Sequence, residues 1–551
     1  MRNRLRRLVV LSLLAVLAAG SLEARREKLA LRHLTLDLPG PPAKVIPVDV
    51  DGDGRRDLVV VVAYTEIEEI GDSRLEGMVE FTTVIPAVFD RREVRVYLAR
   101  GARYAPALAL ELPADVLHME AAAGSAGVIA LTDAGLSRLE YDPSGETAVL
   151  SLQPVISARP VLAGTRSFYA SLELLHDLNG DGVADVLFPA TSGLRLYLGG
   201  ASGPEVGPAD ELSWPDSQSD RWGTARRYPW PQVRELNGDG VADLLFVDGF
   251  AQSRAPEIYL GSHDGTFRAQ RSEATDCHDR LHDLRVAVAD GERWPWPREL
   301  DDLRDLDGDG RAEAIFSAEQ ARGDGFRKEM KDAKKPIQLF QFHRLDEALA
   351  IESAPYFSME AIGHTGGPEM QDEGFPIRLD QFADLDNDGR EDLITITLDF
   401  SIFQVLKILT TKRIGIGVDF HVFAQRQDGS FERVPDLDLS EKLKLDLNDL
   451  KLGRFAQFAG DFDGDGRQDF VHLGRGTTVT IHRGEPGCRY PSKPDLVIEL
   501  DEEPESLDLI RIEDIDGDGL SDLRITRPLP DDDPDVTAPV RLDLYLSEGA
   551  E

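Results

Sequence analysis

Seven short segments of the 551-residue sequence share one pattern of acidic residues, glycine and apolar residues. Oxygen-bearing side chains stand at positions 1, 3, 5 and 9, glycine at position 6, and Val, Leu, Ile or Phe at position 2. The segments, called loops 1 to 7 below, are DVDGDGRRD (49–57), DLNGDGVAD (177–185), ELNGDGVAD (235–243), DLDGDGRAE (305–313), DLDNDGRED (384–392), DFDGDGRQD (461–469) and DIDGDGLSD (514–522). Carboxylates at alternate positions of a short turn predict sites for a hard cation.

Calcium fits this pattern because it takes about 6 to 8 oxygen ligands at roughly 2.3 to 2.6 Å. Glycine at position 6 permits the positive φ of a sharp turn. We expect the turn to direct the position-7 carbonyl oxygen inward, and the position-9 carboxylate to complete the shell. The sequence therefore predicts about seven Ca²⁺ sites. The predicted ligands, in loop order, are Asp49, Asp51, Asp53, Arg55, Asp57; Asp177, Asn179, Asp181, Val183, Asp185; Glu235, Asn237, Asp239, Val241, Asp243; Asp305, Asp307, Asp309, Arg311, Glu313; Asp384, Asp386, Asp388, Arg390, Asp392; Asp461, Asp463, Asp465, Arg467, Asp469; and Asp514, Asp516, Asp518, Leu520, Asp522.

The residues after the loops predict strands rather than helices. An EF-hand needs a glutamate at position 12 and helices on both sides, but position 12 of loop 1 is Val60. Loop 1 is followed by DLVVVV, and later loops by DLLFV, DLITIT and DLRIT. These apolar and β-branched runs predict a buried strand. We expect this strand to be the inner strand of each repeat.

A second strand pattern recurs between the loops. VRVYLA, LRLYLGG, EIYLGSHDGTF, DFHVFAQRQDGSF and RLDLYLSEG each suggest a strand that ends at a glycine or Asp-Gly turn. With four strands in each unit, the repeat is typical of an all-β fold, the β-propeller.

The DxDGDGxxDL loops and the trailing YLG…DGTF strand resemble the FG-GAP/VCBS repeats, which also form the head of integrin α chains. The resemblance covers most of the chain and implies a calcium-binding propeller. The loops on the face of such a propeller are expected to bind a protein or a glycan. Asn179 and Asn237 depart from Asp at position 3, so loops 2 and 3 are expected to bind calcium more weakly. Glu235 and Glu313 keep a carboxylate at their positions.

The spacing of the loops predicts eight blades. The first interval between loops is roughly twice as long as the others, and it contains GVIALTDAGLSRLEYDPSGETAVLSL, a run of strands and turns. We interpret residues 107–160 as a blade that has no metal loop. Seven blades with a long insertion is the alternative. Ring closure is expected to pair the strand from Leu29 with the strand from Val540, which leaves no free sheet edge.

The N-terminal residues indicate export. Arginines at positions 2, 4, 6 and 7 precede an apolar run from Leu8 to Ala19 and then small residues, as in a secretory signal peptide. We assign 1–24 to the signal peptide and 25–551 to a single propeller domain. A membrane anchor that is not cleaved is the alternative, although the run is shorter than the ~20 residues of a spanning helix. No later stretch is apolar enough to span, so a secreted or periplasmic location is expected.

Composition excludes one class of partner. The sequence contains 61 Lys and Arg against 100 Asp and Glu, a formal charge of -39. A protein that binds a phosphate backbone needs the opposite sign, so nucleic acid is not an expected partner. The two cysteines, Cys277 and Cys488, leave one disulfide or two free thiols open.

The tryptophans suggest a second kind of site. All five lie between residues 214 and 296, and Trp230, Trp294 and Trp296 lie beside arginines in two similar segments. They are candidate ligand contacts, with packing between blades as the alternative.

Three function classes remain. The first, implied by the resemblance, is a non-catalytic module that binds an extracellular or envelope protein or glycan as a monomer. The second is a lyase-like enzyme acting on polysaccharides, and the third is a structural component of the envelope. No catalytic residue is predicted, because no GxSxG or triad-like order occurs.

Overall fold

The computed structural model describes most of the chain from residue 29 onward. The described residues are 29–40, 42–64, 91–121, 127–144, 148–162, 172–200, 203–205, 207–214, 218–219, 226–227, 230–246, 257–270, 299–319, 337–346, 349, 351–352, 354–363, 381–399, 413–446, 451–452, 455–473, 477–501, 510–528 and 540–548. The predicted signal peptide lies outside these ranges. Within them the regular structure is all strand, and they include no helix that could cross a membrane.

Eight antiparallel sheets, called blades 1 to 8, follow one another along the chain. Blade 1 contains β2 (Pro42–Val48), β3 (Asp57–Tyr64), β4 (Arg91–Arg100) and β5 (Arg103–Glu111). Blade 2 contains β6 (Val116–Glu120), β7 (Ile129–Thr132), β8 (Gly135–Asp142) and β9 (Val149–Ser157). Blade 3 contains β10 (Leu175–His176), β11 (Asp185–Pro189), β12 (Gly193–Tyr197) and β13 (Asp210–Ser213). A hairpin of β14 (Gln218–Ser219) and β15 (Arg226–Arg227) follows.

The second half of the chain repeats the arrangement. Blade 4 contains β16 (Gln232–Arg234), β17 (Asp243–Phe246), β18 (Glu257–Leu260) and β19 (Arg268–Gln270). Blade 5 contains β20 (Glu299–Arg304), β21 (Glu313–Glu319), β22 (Ile337–Arg344) and β23 (Phe357–Ile362). Blade 6 contains β24 (Phe382–Ala383), β25 (Asp392–Asp399), β26 (Arg413–Phe423), β27 (Leu437–Asp446) and β28 (Lys451–Leu452). Blade 7 contains β29 (Phe455–Phe458), β30 (Phe470–Leu473), β31 (Thr478–His482) and β32 (Leu496–Glu499).

Blade 8 joins the two ends of the chain. It contains β33 (Ile510–Glu513), β34 (Asp522–Pro528), β35 (Val540–Glu548) and β1 (Ala30–Leu38) from the N-terminal side. β1 pairs antiparallel with β35 from Ala30 opposite Glu548 to Leu38 opposite Val540. The predicted ring closure is therefore confirmed.

The eight sheets form a ring, and the fold is an eight-bladed β-propeller. Blade 2 occupies the segment that the sequence predicts as a blade with no metal loop, so the prediction of eight blades is confirmed. The alternative of seven blades with an insertion is wrong, because residues 116–157 form a complete four-stranded sheet.

Apolar runs such as DLVVVV arise because the central strands are buried on both faces. In β3, Val59 and Val61 pack in the cluster shared with blade 2. The alternate residues, Leu58, Val60 and Val62, pack with Leu542 and Leu544 of blade 8. Each strand therefore contributes to the core on either side of its blade.

Every loop connects the first strand of a blade to the second. Loop 1 follows β2 and leads into β3, and the sheet order is β2-β3-β4-β5. The expectation that the loop leads into the inner strand is wrong, because the strand after the loop has a hydrogen-bonded neighbour on each side. The edge position belongs to the strand that precedes the loop.

Because every blade has the same connection, the loops meet one another around one end of the ring. The backbone N–H of Ala312 in loop 4 donates to Leu236 O in loop 3 at 3.1 Å, and Glu391 N–H in loop 5 donates to Leu306 O at 2.8 Å. Gln468 N–H in loop 6 donates to Leu385 O at 3.0 Å. The loops thus form an arc that is interrupted at blade 2.

The interruption is bridged by a side chain. Glu120, at the end of β6, accepts a hydrogen bond from the Leu174 N–H of blade 3 at 2.9 Å. His118, also on β6, lies 3.1 Å from the same carboxylate. Burial lowers the pKa of Lys44 on β2, and the nearby charge of Glu120 acts in the opposite direction. The blade without a metal loop therefore uses a buried carboxylate to contact its neighbour.

Gly308→Ala should test the contact between loops 4 and 5. The glycine has φ of +74°, and an added Cβ would lie 2.1 Å from Gly389 O. Gly52, at the same loop position, has φ of +75° but no atom within 4 Å of an added Cβ. Gly52→Ala is therefore the control for the backbone cost of about 1 to 2 kcal/mol.

We expect Gly308→Ala to reduce the free energy of unfolding by a further ~1 to 3 kcal/mol, because of the clash. Chemical denaturation in excess calcium measures both variants. Equal losses in the two variants would show that the loops do not pack as described.

Candidate metal centres

The carboxylate at position 1 shapes each loop. In loop 1, Asp49 Oδ1 accepts a hydrogen bond from Gly52 N–H at 2.7 Å, and Oδ2 accepts one from Gly54 N–H at 2.8 Å. A short acidic side chain that accepts from its own backbone a few residues later stabilises a tight turn. The equivalent residues accept in the same way in five other loops: Asp177, Glu235, Asp305, Asp461 and Asp514. In loop 5, Asp384 accepts instead from Asp388 N–H at 3.1 Å and from Gly389 N–H at 2.9 Å.

The position-7 residue is fixed to position 5. Arg55 N–H donates to Asp53 Oδ1 at 3.0 Å, and Leu520 N–H donates to Asp518 Oδ1 at 2.8 Å. The same contact occurs at Val183, Val241, Arg311, Arg390 and Arg467. All seven loops therefore share one backbone conformation around their centre.

The carboxylate at position 9 is buried and holds the loop to its blade. In loop 2, Asp185 Oδ2 accepts from Leu178 N–H at 2.9 Å, and Oδ1 accepts from Gly199 N–H at 2.7 Å. Leu178 belongs to the loop and Gly199 follows the third strand. Both contacts recur at Asp57, Asp243, Asp392, Asp469 and Asp522. Position 9 thus has a structural role that the sequence pattern did not predict.

Five loops bring three carboxylates close together. In each, one oxygen from each of three residues lies within 4.8 Å of the others. The groups are Asp49, Asp51 and Asp53; Asp305, Asp307 and Glu313; Asp384, Asp386 and Asp392; Asp461, Asp463 and Asp465; and Asp514, Asp516 and Asp522. These clusters could hold metal ions. Loops 2 and 3, which have Asn at position 3, do not form such a group.

Four of these clusters contain a buried oxygen with no hydrogen-bond partner. The atom is Oδ1 of the position-3 aspartate in each of the four loops: Asp307, Asp386, Asp463 and Asp516. A buried carboxylate oxygen without a partner is costly. A cation held between positions 1, 3 and 9 in loops 4, 5 and 7, and between positions 1, 3 and 5 in loop 6, would supply the missing partner. The all-oxygen donor set fits a hard cation.

Burial and repulsion raise the pKa values of the position-9 carboxyls. Burial is the largest cause, and nearby acidic side chains add to it, while backbone N–H donors act in the opposite direction. The pKa is about 6 for Asp243 and Asp392, about 7 for Asp469 and Asp522, and about 8 for Glu313. A bound cation would favour the ionised forms instead.

Arginines from the third strands of blades 1, 5 and 7 lie against the clusters of their own blades, and the sequence pattern did not predict them. Arg344 Nη2 lies 3.1 Å from Asp307 Oδ2, and Arg483 Nη1 lies 3.0 Å from Asp463 Oδ2. Arg100 Nη2 lies 2.7 Å from Asp51 Oδ2. These arginines lie at the ends of the third strands of their blades. Only the strand register brings them close to the loops. Each neutralises part of the charge of its cluster.

The cysteines and tryptophans singled out in the sequence lie partly within and partly outside the described residues. Cys488 is a buried free thiol that donates to Asp392 Oδ2 at 3.0 Å, while Cys277 lies outside the described residues. Trp230 is half-buried and packs against apolar clusters of blades 2 to 4, as the packing alternative predicts. Trp294 and Trp296 lie outside the described ranges, so a ligand contact through the tryptophans stays a prediction.

No protein-family model and no curated protein matches the chain. Among solved structures, a lectin of Agrocybe aegerita that recognises non-reducing terminal N-acetylglucosamine is similar at 14% identity. It covers 73% of this chain and 85% of its own, with a TM-score of 0.35. A putative 6-phosphogluconolactonase of Bacteroides fragilis has 9% identity, covers 83% and 98% of the two chains, and has a TM-score of 0.25. At these scores neither similarity indicates an activity.

In the metal-free protein, the free energy of unfolding should fall as the pH rises from about 5 to about 8. The folded chain holds protons on Asp469, Asp522 and Glu313 up to their raised pKa values. The unfolded chain loses these protons near the ordinary carboxyl pKa of about 4. Protons held only by the folded state stabilise it, and this contribution is lost as the pH passes the folded pKa values.

Thermal unfolding with excess chelator across this pH range measures the trend. Excess calcium should weaken it, since the cation takes the place of the protons. A metal-free stability that stays constant or rises with pH would contradict the prediction.

Proposed function

We propose that the protein is an exported, calcium-stabilised β-propeller of the FG-GAP/VCBS type that binds an extracellular or envelope protein or glycan. Calcium would be held by the carboxylates and amides at positions 1, 3 and 5, the position-7 carbonyl oxygen and the position-9 carboxylate. Its chemical contribution is charge neutralisation within each loop. The loops join the blades, so calcium binding would stabilise the whole ring.

The buried, unpartnered Oδ1 atoms of the position-3 aspartates carry the calcium assignment. They recur in loops 4 to 7, although the surrounding residues differ from loop to loop. An isolated oxygen of this kind has many explanations, whereas the same atom in four loops indicates one missing partner. Carboxylate, amide and carbonyl oxygens are the ligands that calcium prefers.

Among the described residues, one row of side chains has a triad-like order. Thr397 Oγ1 lies 3.0 Å from His421 Nε2, and His421 Nδ1 lies 2.6 Å from Asp438 Oδ1. Thr397, however, is only 5% exposed. A nucleophile must reach its substrate, so this row favours a structural role between strands.

The proposed extracytoplasmic location also supports the assignment of calcium to the loops. Extracellular calcium modules bind at ~10⁻⁴ to 10⁻³ M. At about 1 mM calcium, the tighter sites would each add ~1.4 kcal/mol to the free energy of unfolding. Several such sites compare with the ~5 to 15 kcal/mol stability of a whole domain. At micromolar calcium the same sites would contribute almost nothing.

Asp386→Asn should lower the melting temperature in calcium by removing the charge of a position-3 ligand. Asp428→Asn is the matched control in the same blade, because Asp428 is an exposed turn residue bonded to Ser430. With excess chelator, the wild-type melting temperature should fall substantially. The melting temperature of Asp386→Asn should fall slightly less with chelator than that of the wild type, since one of about seven sites is already weakened.

Differential scanning calorimetry measures all three proteins with and without calcium. A wild-type melting curve that chelator does not change would refute the calcium assignment.

The binding role predicts retention on a glycan or protein array that depends on calcium. Calcium acts through the folded ring, so chelation should reduce retention together with stability. An array screened with and without calcium provides the measurement. Loss of all binding, together with turnover of an acidic polysaccharide, would favour the lyase alternative.

A further inference from the structure

Loop 7 lies where the two ends of the chain meet. Arg56 of loop 1 donates from Nη1 to Asp514 O at 2.7 Å, across 458 residues of sequence. Arg32 of β1 places Nη2 3.7 Å from Asp516 Oδ2. The ligand set of loop 7 therefore contacts both the first blade and the N-terminal strand.

Loop 7 is also tied to the C-terminal strand. Asp522 Oδ1 accepts a hydrogen bond from Ser547 N–H of β35 at 2.7 Å, and its Oδ2 accepts one from Ile515 N–H at 2.8 Å. Ser521 N–H donates to Asp461 O of loop 6 at 2.7 Å. One loop thus joins β35, β1, blade 1 and blade 7.

Loop 4 provides a contrast within the same ring. Its backbone hydrogen bonds to other loops join it to loops 3 and 5, in blades that are consecutive in sequence. Arg344, which pairs with Asp307, comes from the same blade as the loop. Loop 4 therefore stabilises neighbours that the chain already connects, whereas loop 7 joins segments from opposite ends of the chain.

Three buried polar atoms at the loop 7 junction have no hydrogen-bond partner. They are Asp516 Oδ1, Arg32 Nε and the hydroxyl of Tyr104. Tyr104 belongs to β5 of blade 1, is 8% exposed, and packs with Ile515 of loop 7. Burial and the charges of Asp516 and Asp522 raise the pKa of Tyr104. A hydrated cation in the cluster would offer partners to the hydroxyl and to Asp516.

β1 closes the ring by pairing with β35 over nine residues, and its Leu36 and Leu38 lie in the same apolar cluster as Ile515 of loop 7. Within the described part of the chain, β1 pairs with one strand, β35. Its side chains His33 and Thr35 contact the buried carboxylate of Asp543 at 3.0 and 3.3 Å. Arg527 donates to the same carboxylate. These contacts hold β1 to β35, whereas Arg32 provides the charged contact between β1 and the acidic ligands of loop 7.

We propose that loop 7 is the metal-dependent latch of the ring: a cation held by Asp514, Asp516 and Asp522 fixes β1 and blade 1 to blade 8. Without the cation, the three carboxylates repel one another and the loop loosens. The contacts of Arg32, Arg56 and Tyr104 then weaken together, and β1 separates from β35. This inference rests on the proposed calcium binding and adds a role that the other loops do not have.

The test compares Asp516→Asn with Asp307→Asn in the full chain. Both substitutions change the position-3 aspartate that has a buried, unpartnered oxygen and an arginine neighbour. Hydrogen exchange of β1 and β35 is followed by mass spectrometry in excess calcium. When calcium is at about ten times the dissociation constant of the wild-type site, weakening that site should speed exchange of β1 by up to roughly tenfold in Asp516→Asn, with little change in Asp307→Asn.

A cross-link gives a second measurement. Ala30 and Glu548 are opposite each other at the end of the β1–β35 pair, and both are exposed. A disulfide formed by Ala30→Cys and Glu548→Cys should restore slow exchange of β1 in Asp516→Asn. It should leave the melting temperature of Asp307→Asn unrestored. If Asp516→Asn does not fold, both substitutions are compared in the cross-linked chain. Folding of Asp516→Asn only when the disulfide is formed would support the latch.

Equal exchange of β1 in the two variants would overturn the latch. In that case a wild-type melting temperature that still rises with calcium would show that the proposed calcium binding holds on its own. A melting temperature that does not respond to calcium would instead refute the proposed function.

Discussion

The buried carboxylate at position 9 is the group on which the rest of each loop depends. A carboxylate inside a protein is tolerated when its oxygens have partners, and here the partners are backbone N–H groups of the loop and of the segment after the third strand. Those bonds fix the loop against its blade. In loops 4, 5 and 7 they also bring the position-9 carboxylate close to the carboxylates of positions 1 and 3. The loop is thus formed at the cost of concentrated negative charge, which only a cation, a proton or an arginine can offset.

The blades differ in how they offset that charge. Loops 4 and 6 have Arg344 and Arg483 against position 3, whereas loops 2 and 3 reduce the charge with asparagine. Blade 2 has no loop, and Glu120 contacts the backbone of blade 3 directly. Because neighbouring loops also bond to each other, the charge within one loop affects the joint between two blades. A change in the charge of loop 7 affects the most distant segments of the sequence, since the neighbours of this loop come from both ends of the chain.

The sequence predicted the features that depend on local pattern. The spacing of the loops identified eight blades, including the blade without a loop, and the terminal strands were expected to pair. The order of strands within a blade was wrong, because strand order depends on pairing across the sheet and not on the residues of the loop. Arg344 could not be predicted as a neighbour of Asp307, since strand register alone brings it there. The backbone N–H partner of the position-9 carboxylate could not be predicted for the same reason. Gly199 lies next to Asp185 only because the third strand pairs with the second.

The most direct test of calcium as the missing partner is a count of bound ions. Equilibrium dialysis of the purified protein against a series of calcium concentrations, with the metal measured by mass spectrometry, gives the number of sites and their affinities. The loops predict about seven Ca²⁺ per chain, of which five bind more tightly and the two of loops 2 and 3 more weakly. Less than one bound ion per chain at millimolar calcium would contradict the central claim.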